Sequence, residues 1–493
     1  MISANLPALQ VIIPLLSAPL CLVLRRPALV WWFALAACLA TLAVSIELLL
    51  QVQTTGVISY QIGGWAPPWG IEFRIDALGA YVAVVVSIIG AVVMLYAGTS
   101  IDRELPEHKQ TLFYTAYMLC LAGLLGIIIT GDAFNVFVFL EISSLSSYIL
   151  ISLGKDRRAL TAAFQYLIMG TLGATFILIG VGLLYVMTGT LNMLDLAARL
   201  PEVMHTRTIH SAFAFLTVGI CLKLALFPLH LWLPNCYTYA PSAASAFLAA
   251  TATKVAIYVL LRFVFTVFGA EFAFGAMPLG AILFALSIFA ILVGSTVAIY
   301  QNNIKRMLAW SSVAQIGYMV LGISLATVTG LTAGILHLFN HAMMKGGLFL
   351  ALGGIMYTTG AVQLKDFRGL GKTMPWTMAA IVAGGLNLIG VPLTAGFVSK
   401  WYLVLAAIEK GWWPVVIVIM VGSLLAVIYI WRLVETAWFE KADETTNLVR
   451  EAPWALLLPT WLLIAASIYF GIDTDLTVGV ASEAARTLLG VAE

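Results

Sequence analysis

The sequence predicts an all-α integral membrane protein of about fourteen transmembrane helices, with two inverted five-helix repeats whose helices 7 and 12 are broken. Three observations predict it. Of 493 residues, 62% are hydrophobic and only 10% charged, against about 25% charged in soluble domains, and the mean hydropathy is +1.02. Apolar runs of about 20 residues, the length that crosses roughly 30 Å of hydrocarbon, recur along the whole chain. Two of the longer runs are interrupted by Pro and Gly, five spans apart.

Spans are expected near 4–24, 27–52, 76–98, 111–129, 132–153, 160–188, 210–228, 240–268, 276–300, 304–326, 329–358, 374–410, 413–437 and 453–472. The first lacks a basic leader and reads as a span, not as a cleavable signal peptide. Residues 53–75 alternate around Gly63-Gly64 and Pro67-Pro68, which predicts a small external hairpin. Residues 191–204 read as a short amphipathic surface helix. Span 7 continues through Phe227-Pro228, His230, Pro234, Asn235 and Pro241. Span 12 is too long for one crossing and is interrupted at Gly390-Val391-Pro392-Leu393-Thr394-Ala395-Gly396. Proline removes a backbone donor and glycine loosens a helix, and broken backbone at membrane depth survives only when buried or facing water. Five is odd, so spans 7 and 12 run in opposite directions, and each has a lysine beside its break. The expected organisation is 1–110, three spans with the hairpin; 111–268, a first repeat; 276–437, a second, inverted repeat; and 438–493, span 14 and a tail.

Orientation follows from Lys and Arg in the short loops. With the first loop inside, the inside loops hold Arg25, Arg26, Arg103, Lys109, Lys155, Arg157, Arg158, Lys305, Arg306, Lys365, Arg368, Lys372, Lys441 and Arg450, fourteen in all. The outside segments hold five: Arg74, Arg199, Arg207, Lys410 and Arg486. The bias predicts a multi-pass protein of the inner (cytoplasmic) membrane with both termini outside.

Ionisable groups inside spans carry the functional reading, because a charge at the bilayer centre costs about 2.5–3.5 kcal/mol on insertion scales. Glu141 lies nine residues beyond Asp132, about 13 Å deep at about 1.5 Å per residue. Lys223, deep in span 7, is its expected partner. Beside a carboxylate the lysine stays charged, and beside a neutral partner burial favours the free amine; a static ion pair that fixes packing is the alternative. Lys254 sits mid-span among small residues. His337, His341 and Lys345 fall at i, i+4 and i+8 on one helical face, where imidazoles suit a relay or a purely structural role. HxxxH is also a metal spacing, but no Glu or Cys completes a zinc site. Lys400 follows the second break and reads as a terminal donor or acceptor, with an interfacial lysine beside Trp401 and Tyr402 as the alternative. Arg262 and Arg432 are expected to snorkel, Arg432 with Glu435 at i+3 in reach.

Other chemistries are excluded. Cys21, Cys38, Cys120, Cys221 and Cys236 form no CxxC pair, so no cluster, redox cofactor or other cofactor is expected. Gly369-Leu370-Gly371-Lys372-Thr373 resembles the end of a P-loop, but Asp366 stands where the first glycine must be. Nothing indicates a nucleic-acid partner.

The stretches GDAFNVFVFLEISSLSSYILIS, KRMLAWSSVAQIGYMVLGI, HLFNHAMMKGGLFL and LIGVPLTAGFVSKW, with the region from Cys221 to Phe263, resemble the proton-conducting antiporter-like subunits of Mrp-type cation/proton antiporters, respiratory complex I and membrane-bound hydrogenases. The resemblance covers roughly residues 60–435. It implies a Glu141–Lys223 key pair, Lys254 as central relay, His337 and His341 leading on, and Lys400 in an outer half-channel. It further implies other membrane subunits of a hetero-oligomeric complex as partners, with protons and monovalent cations as cargo. Asn235 stands where complex I members usually have Asp, and Lys400 where one complex I branch has Glu. The branch most similar is the D-type subunit of Mrp antiporters, which implies a proton-translocating subunit of a sodium/proton antiporter. A redox-driven pump subunit of complex I or a hydrogenase is the second reading, and a non-conducting scaffold or an ion-coupled uptake partner the third.

Overall fold

The computed structural model describes residues 5–24, 26–360, 362–441 and 449–491. Arg25 of the predicted inside loop, and part of the predicted tail at 442–448, lie outside the described residues. The chain opens with α1 (Leu6–Leu24) and α2 (Pro27–Thr55), then the antiparallel hairpin β1 (Ile58–Gln61) and β2 (Glu72–Ile75), in which Tyr60 faces Phe73. Next come α3 (Ala77–Glu104), α4 (Glu107–Ile129), α5 (Ala133–Ser152) and α6 (Arg158–Thr188). The short amphipathic helix is α7 (Met193–Val203). Span 7 is α8 (Arg207–Leu224) followed, after a break, by α9 (Trp232–Tyr239). The middle of the molecule is α10 (Ser242–Leu261), α11 (Leu279–Ile299), α12 (Ile304–Ser324) and α13 (Val328–Thr359). One turn, α14 (Leu370–Thr373), precedes the broken span 12, made of α15 (Pro375–Ile389) and α16 (Ala395–Glu409). The chain ends with α17 (Trp413–Trp438), α18 (Trp454–Ile472) and α19 (Asp475–Leu489).

Thirteen of these helices are long and apolar enough to cross a membrane, and the α15–α16 pair supplies the fourteenth span. Both expected breaks are present. Helix starts follow side-chain caps: Asp76 accepts from Gly79 N, Asp132 from Asn135 N and Thr327 from Gly330 N, each satisfying an orphan backbone donor.

Burial sorts the helices. The most apolar window of α13 is 100% buried and those of α10 and α12 are 94% buried, whereas α17 is 33% and α6 and α11 are 39% buried. The ionisable residues of spans 8 and 11 therefore sit on the innermost helices, walled by outer helices whose apolar faces point outward. Helix α10 packs along α13, and α12 contacts α9, so the two halves of the chain interlock at the centre.

Candidate functional site

The two breaks do the same physical work. α8 ends where Ala225 takes a left-handed conformation (φ 59°), which leaves Lys223 in the last turn of a helix that stops inside the bundle. The C-terminal end of a helix carries partial negative charge and favours a cation. Lys223, 6% exposed, donates to Ser144 Oγ at 2.7 Å and lies 3.7 Å from Glu141 Oε1. Ser144 is one turn beyond Glu141 on α5, so one helical face presents both groups to the ammonium. The Glu141 side chain keeps 27% exposure, while its Oε1, the oxygen facing Lys223, is buried.

At the second break α15 stops at Gly390, whose φ of 85° only glycine adopts easily and where a Cβ would stand 3.0 Å from Lys400 Cδ. The freed carbonyls of Leu388 and Ile389 accept from Lys400 Nζ at 3.1 and 2.9 Å, and Ser423 Oγ accepts at 2.9 Å. The ammonium also lies 4.7 Å from the Tyr318 ring centroid, a cation–π contact. Lys400 is 5% exposed, so the structure places it inside the bundle and not at an interface. Asn387 Oδ1 accepts from Gly396 N at 2.6 Å and closes the turn.

Between the breaks run the central helices. His337 is held at both ring nitrogens: Nε2 meets Gln315 Oε1 at 2.8 Å and Nδ1 meets Ser399 Oγ at 2.8 Å. Ser399 precedes Lys400 in sequence, so His337 and Lys400 are joined through one residue pair and the shared Tyr318 ring. His341 stacks on His337, with centroids 6.1 Å apart and planes at 7°, and among the described residues neither of its ring nitrogens has a hydrogen-bond partner. Lys345 donates to Leu308 O at 2.7 Å and to Ser311 Oγ. Lys254, 0% exposed, donates to Ala249 O and contacts Thr253 Oγ1 at 3.4 Å, both on its own helix. The predicted residues thus form one ion pair, Glu141–Lys223, and one group linked through Ser399 and the Tyr318 ring, His337 with Lys400; Lys254, His341 and Lys345 are buried on the central helices and, among the described residues, not directly bonded to either.

Two expectations need correction. Arg262 does not snorkel: it is 9% exposed and makes a two-pronged ion pair with Asp76, with Nη1 to Oδ2 at 2.6 Å, while Nε donates to Tyr258 OH at 2.9 Å. The acid that caps α3 stands opposite, and bidentate pairing makes an excursion to water unnecessary. Burial would raise the Asp76 carboxyl, but the Arg262 guanidinium outweighs it and holds the carboxyl below its usual range. Among the described residues no ion pair joins Arg432 to Glu435; Glu435 is exposed, and water competes for it there.

Sequence reasoning missed Gln315, Ser399 and Ser423, which are neutral and leave no hydropathy signal. It named His230 only as part of a break. His230, inside the first break, is 3% exposed, stacks on Phe227 at 5.2 Å and packs edge-on to Trp310 of α12 at 5.0 Å.

Residues 130–426 match the family described as NADH:quinone oxidoreductase/Mrp antiporter, TM. The chain therefore belongs to that family and is an antiporter-like, multi-pass integral membrane subunit. It is 46% identical over 441 residues to the NADH-quinone oxidoreductase subunit N of Desulforudis audaxviator, covering 89% of this chain and 87% of that one. It is 32% identical over 434 residues to the D-type Na(+)/H(+) antiporter subunit of Alkalihalophilus pseudofirmus, covering 88% and 87%. A chain in the structure of the Mrp complex from a Dietzia species superposes with a TM-score of 0.91 at 27% identity, covering 99% of this chain and 98% of that one.

Proposed function

We propose that this chain is the proton-carrying subunit of a multi-subunit monovalent cation/proton antiporter. One observation carries the reading: each of two helices broken inside the bundle has a buried lysine at its break, Lys223 held by Ser144 and Glu141 and Lys400 by the freed carbonyls of α15, with further buried His and Lys side chains on the central helices. Protons load on the Lys223 side, pass Lys254, His341 and His337 with Lys345 beside them, and leave by Lys400. Lengthening the 3.7 Å Glu141–Lys223 contact weakens the attraction that keeps the proton on the lysine, which makes the pair a gate. The membrane potential supplies about 2.3 kcal/mol per charge per 100 mV, and sodium moves partly through other subunits. The likeness in fold to the Mrp chain and the relation to a D-type antiporter subunit support this reading.

A second reading, a proton-pumping subunit driven by redox partners, is favoured by the relation to a protein named NADH-quinone oxidoreductase subunit N. Membrane vesicles that hold the assembled complex separate the two. A sodium pulse without a redox donor should drive proton movement in the parent and not in Lys254→Ala. Movement only with a redox donor would select the second reading, and a parent-like rate in Lys254→Ala would remove that lysine from the relay.

A further inference from the structure

A buried acid and a buried base outside the relay described above meet at one turn of the chain. Glu104, in the last turn of α3, is 9% exposed and Lys305, in the first turn of α12, is 1% exposed. By sequence Lys305 counts with the inside-loop charges, at the very start of the expected span 304–326; α12 begins at Ile304, and packing buries the side chain. Both groups bind the short turn between α9 and α10. Glu104 Oε2 accepts from Ser242 N at 2.9 Å and its Oε1 accepts from Ser100 Oγ at 2.6 Å. Lys305 Nζ donates to Ala240 O at 2.8 Å. Acid and base therefore hold the two residues that flank Pro241.

They line the deep part of a cavity of about 610 Å³ whose rim includes the exposed Arg103 and Lys155. At about 30 Å³ per molecule, such a space has room for roughly twenty waters. A basic rim repels sodium, whereas a neutral water or buffer acid can bring a proton past it. Further along α12, Leu308 O and Ser311 Oγ accept from Lys345 Nζ, and Ser312 Oγ donates to Leu308 O at 3.1 Å. Lys305 and Ser311 lie on the same helix, less than two turns apart, and Ser311 is fully buried where it meets Lys345, so α12 carries a polar link from the cavity to Lys345.

We propose that the Glu104–Lys305 cavity is a second proton entrance, which loads Lys345 from the aqueous phase at this end of the bundle. A hydronium ion in the cavity protonates the Glu104 carboxylate and is left as water, the acid passes the proton through cavity water to a neutral Lys305 amine, and Lys305 passes one through the Ser311 region to a neutral Lys345 amine. At each hop one O–H or N–H bond breaks as the next forms, and the net change is one proton moved. The inference rests on the proton-carrying reading.

The test uses the assembled complex in vesicles. The five native cysteines of this chain are buried, so Met356→Cys, which lines the cavity, gives this chain one accessible thiol, and the labelled parent complex serves as the control for thiols elsewhere. A membrane-impermeant, negatively charged methanethiosulfonate is added to each side in turn. Unlabelled Met356→Cys should run at the parent rate, and labelling from one side only should cut proton flux at least about tenfold. Glu104→Gln should lose a similar factor, and Glu104→Asp should recover most of it. Complete labelling with unchanged flux, or parent-like flux in Glu104→Gln, overturns the entrance. A Glu104→Gln complex that does not assemble leaves the labelling experiment to decide. Absence of any sodium- or redox-driven flux in the unlabelled parent would instead sink the proton-carrying reading itself.

Discussion

Removing the charge of Glu141 tests the gate most directly. At 3.7 Å from Lys223 Nζ, a carboxylate in surroundings of effective dielectric about 20 attracts the ammonium by about 4.5 kcal/mol. Glu141→Gln removes that attraction and leaves the Ser144 hydrogen bond in place. If the whole attraction acts in the rate-limiting step, flux falls by on the order of 10³, which in vesicles is indistinguishable from leak. Glu141→Asp withdraws the carboxylate by about one bond; at about 5 Å the attraction is about 3 kcal/mol, so an intermediate rate is expected. The assay is sodium-driven proton movement in everted vesicles, followed with a pH-sensitive dye, with assembly checked on native gels. An assembled Glu141→Gln complex within twofold of the parent would refute the gate, and so would an Asp variant slower than the Gln variant.

Gln315→Leu removes the acceptor at His337 Nε2 and leaves a buried ring nitrogen unpaired. That costs about 1–3 kcal/mol; flux should fall and its pH profile should shift, with Gln315→Glu recovering the rate, and an unmoved profile would make Gln315 mere packing. Asp76→Ala strands a buried guanidinium and should lower stability by about 3–5 kcal/mol, read as a drop in Tm of the detergent-solubilised protein, with Asp76→Ala/Arg262→Leu regaining part of it. The folded-state carboxyl of Asp76 is depressed, so its contribution is fully present above the unfolded value of about 4 and is lost as pH falls through the folded value. The parent's Tm should therefore decline more steeply than that of Asp76→Ala on acidification, and parallel declines would contradict the pairing.

Residue order alone is enough to place the spans, the two breaks, the hairpin and the short surface helix, because crossing hydrocarbon is a requirement on consecutive residues and a break needs Pro or Gly at a stated place. It is also enough to mark Glu141, Lys223, Lys254, His337, His341, Lys345 and Lys400 as candidates, because a charged or titratable side chain inside an apolar run stands out without knowledge of its neighbours. The partners of these and other polar groups come from packing. Asp76 and Arg262 are 186 positions apart, Glu104 and Ser242 are 138 apart, and no local pattern joins them. Lys305 looked like a loop cation because burial near a helix end depends on what packs over it, here the α9–α10 turn. Gln315, Ser399 and Ser423 are invisible to hydropathy, since a neutral polar group costs little until packing removes its water and obliges it to find a partner.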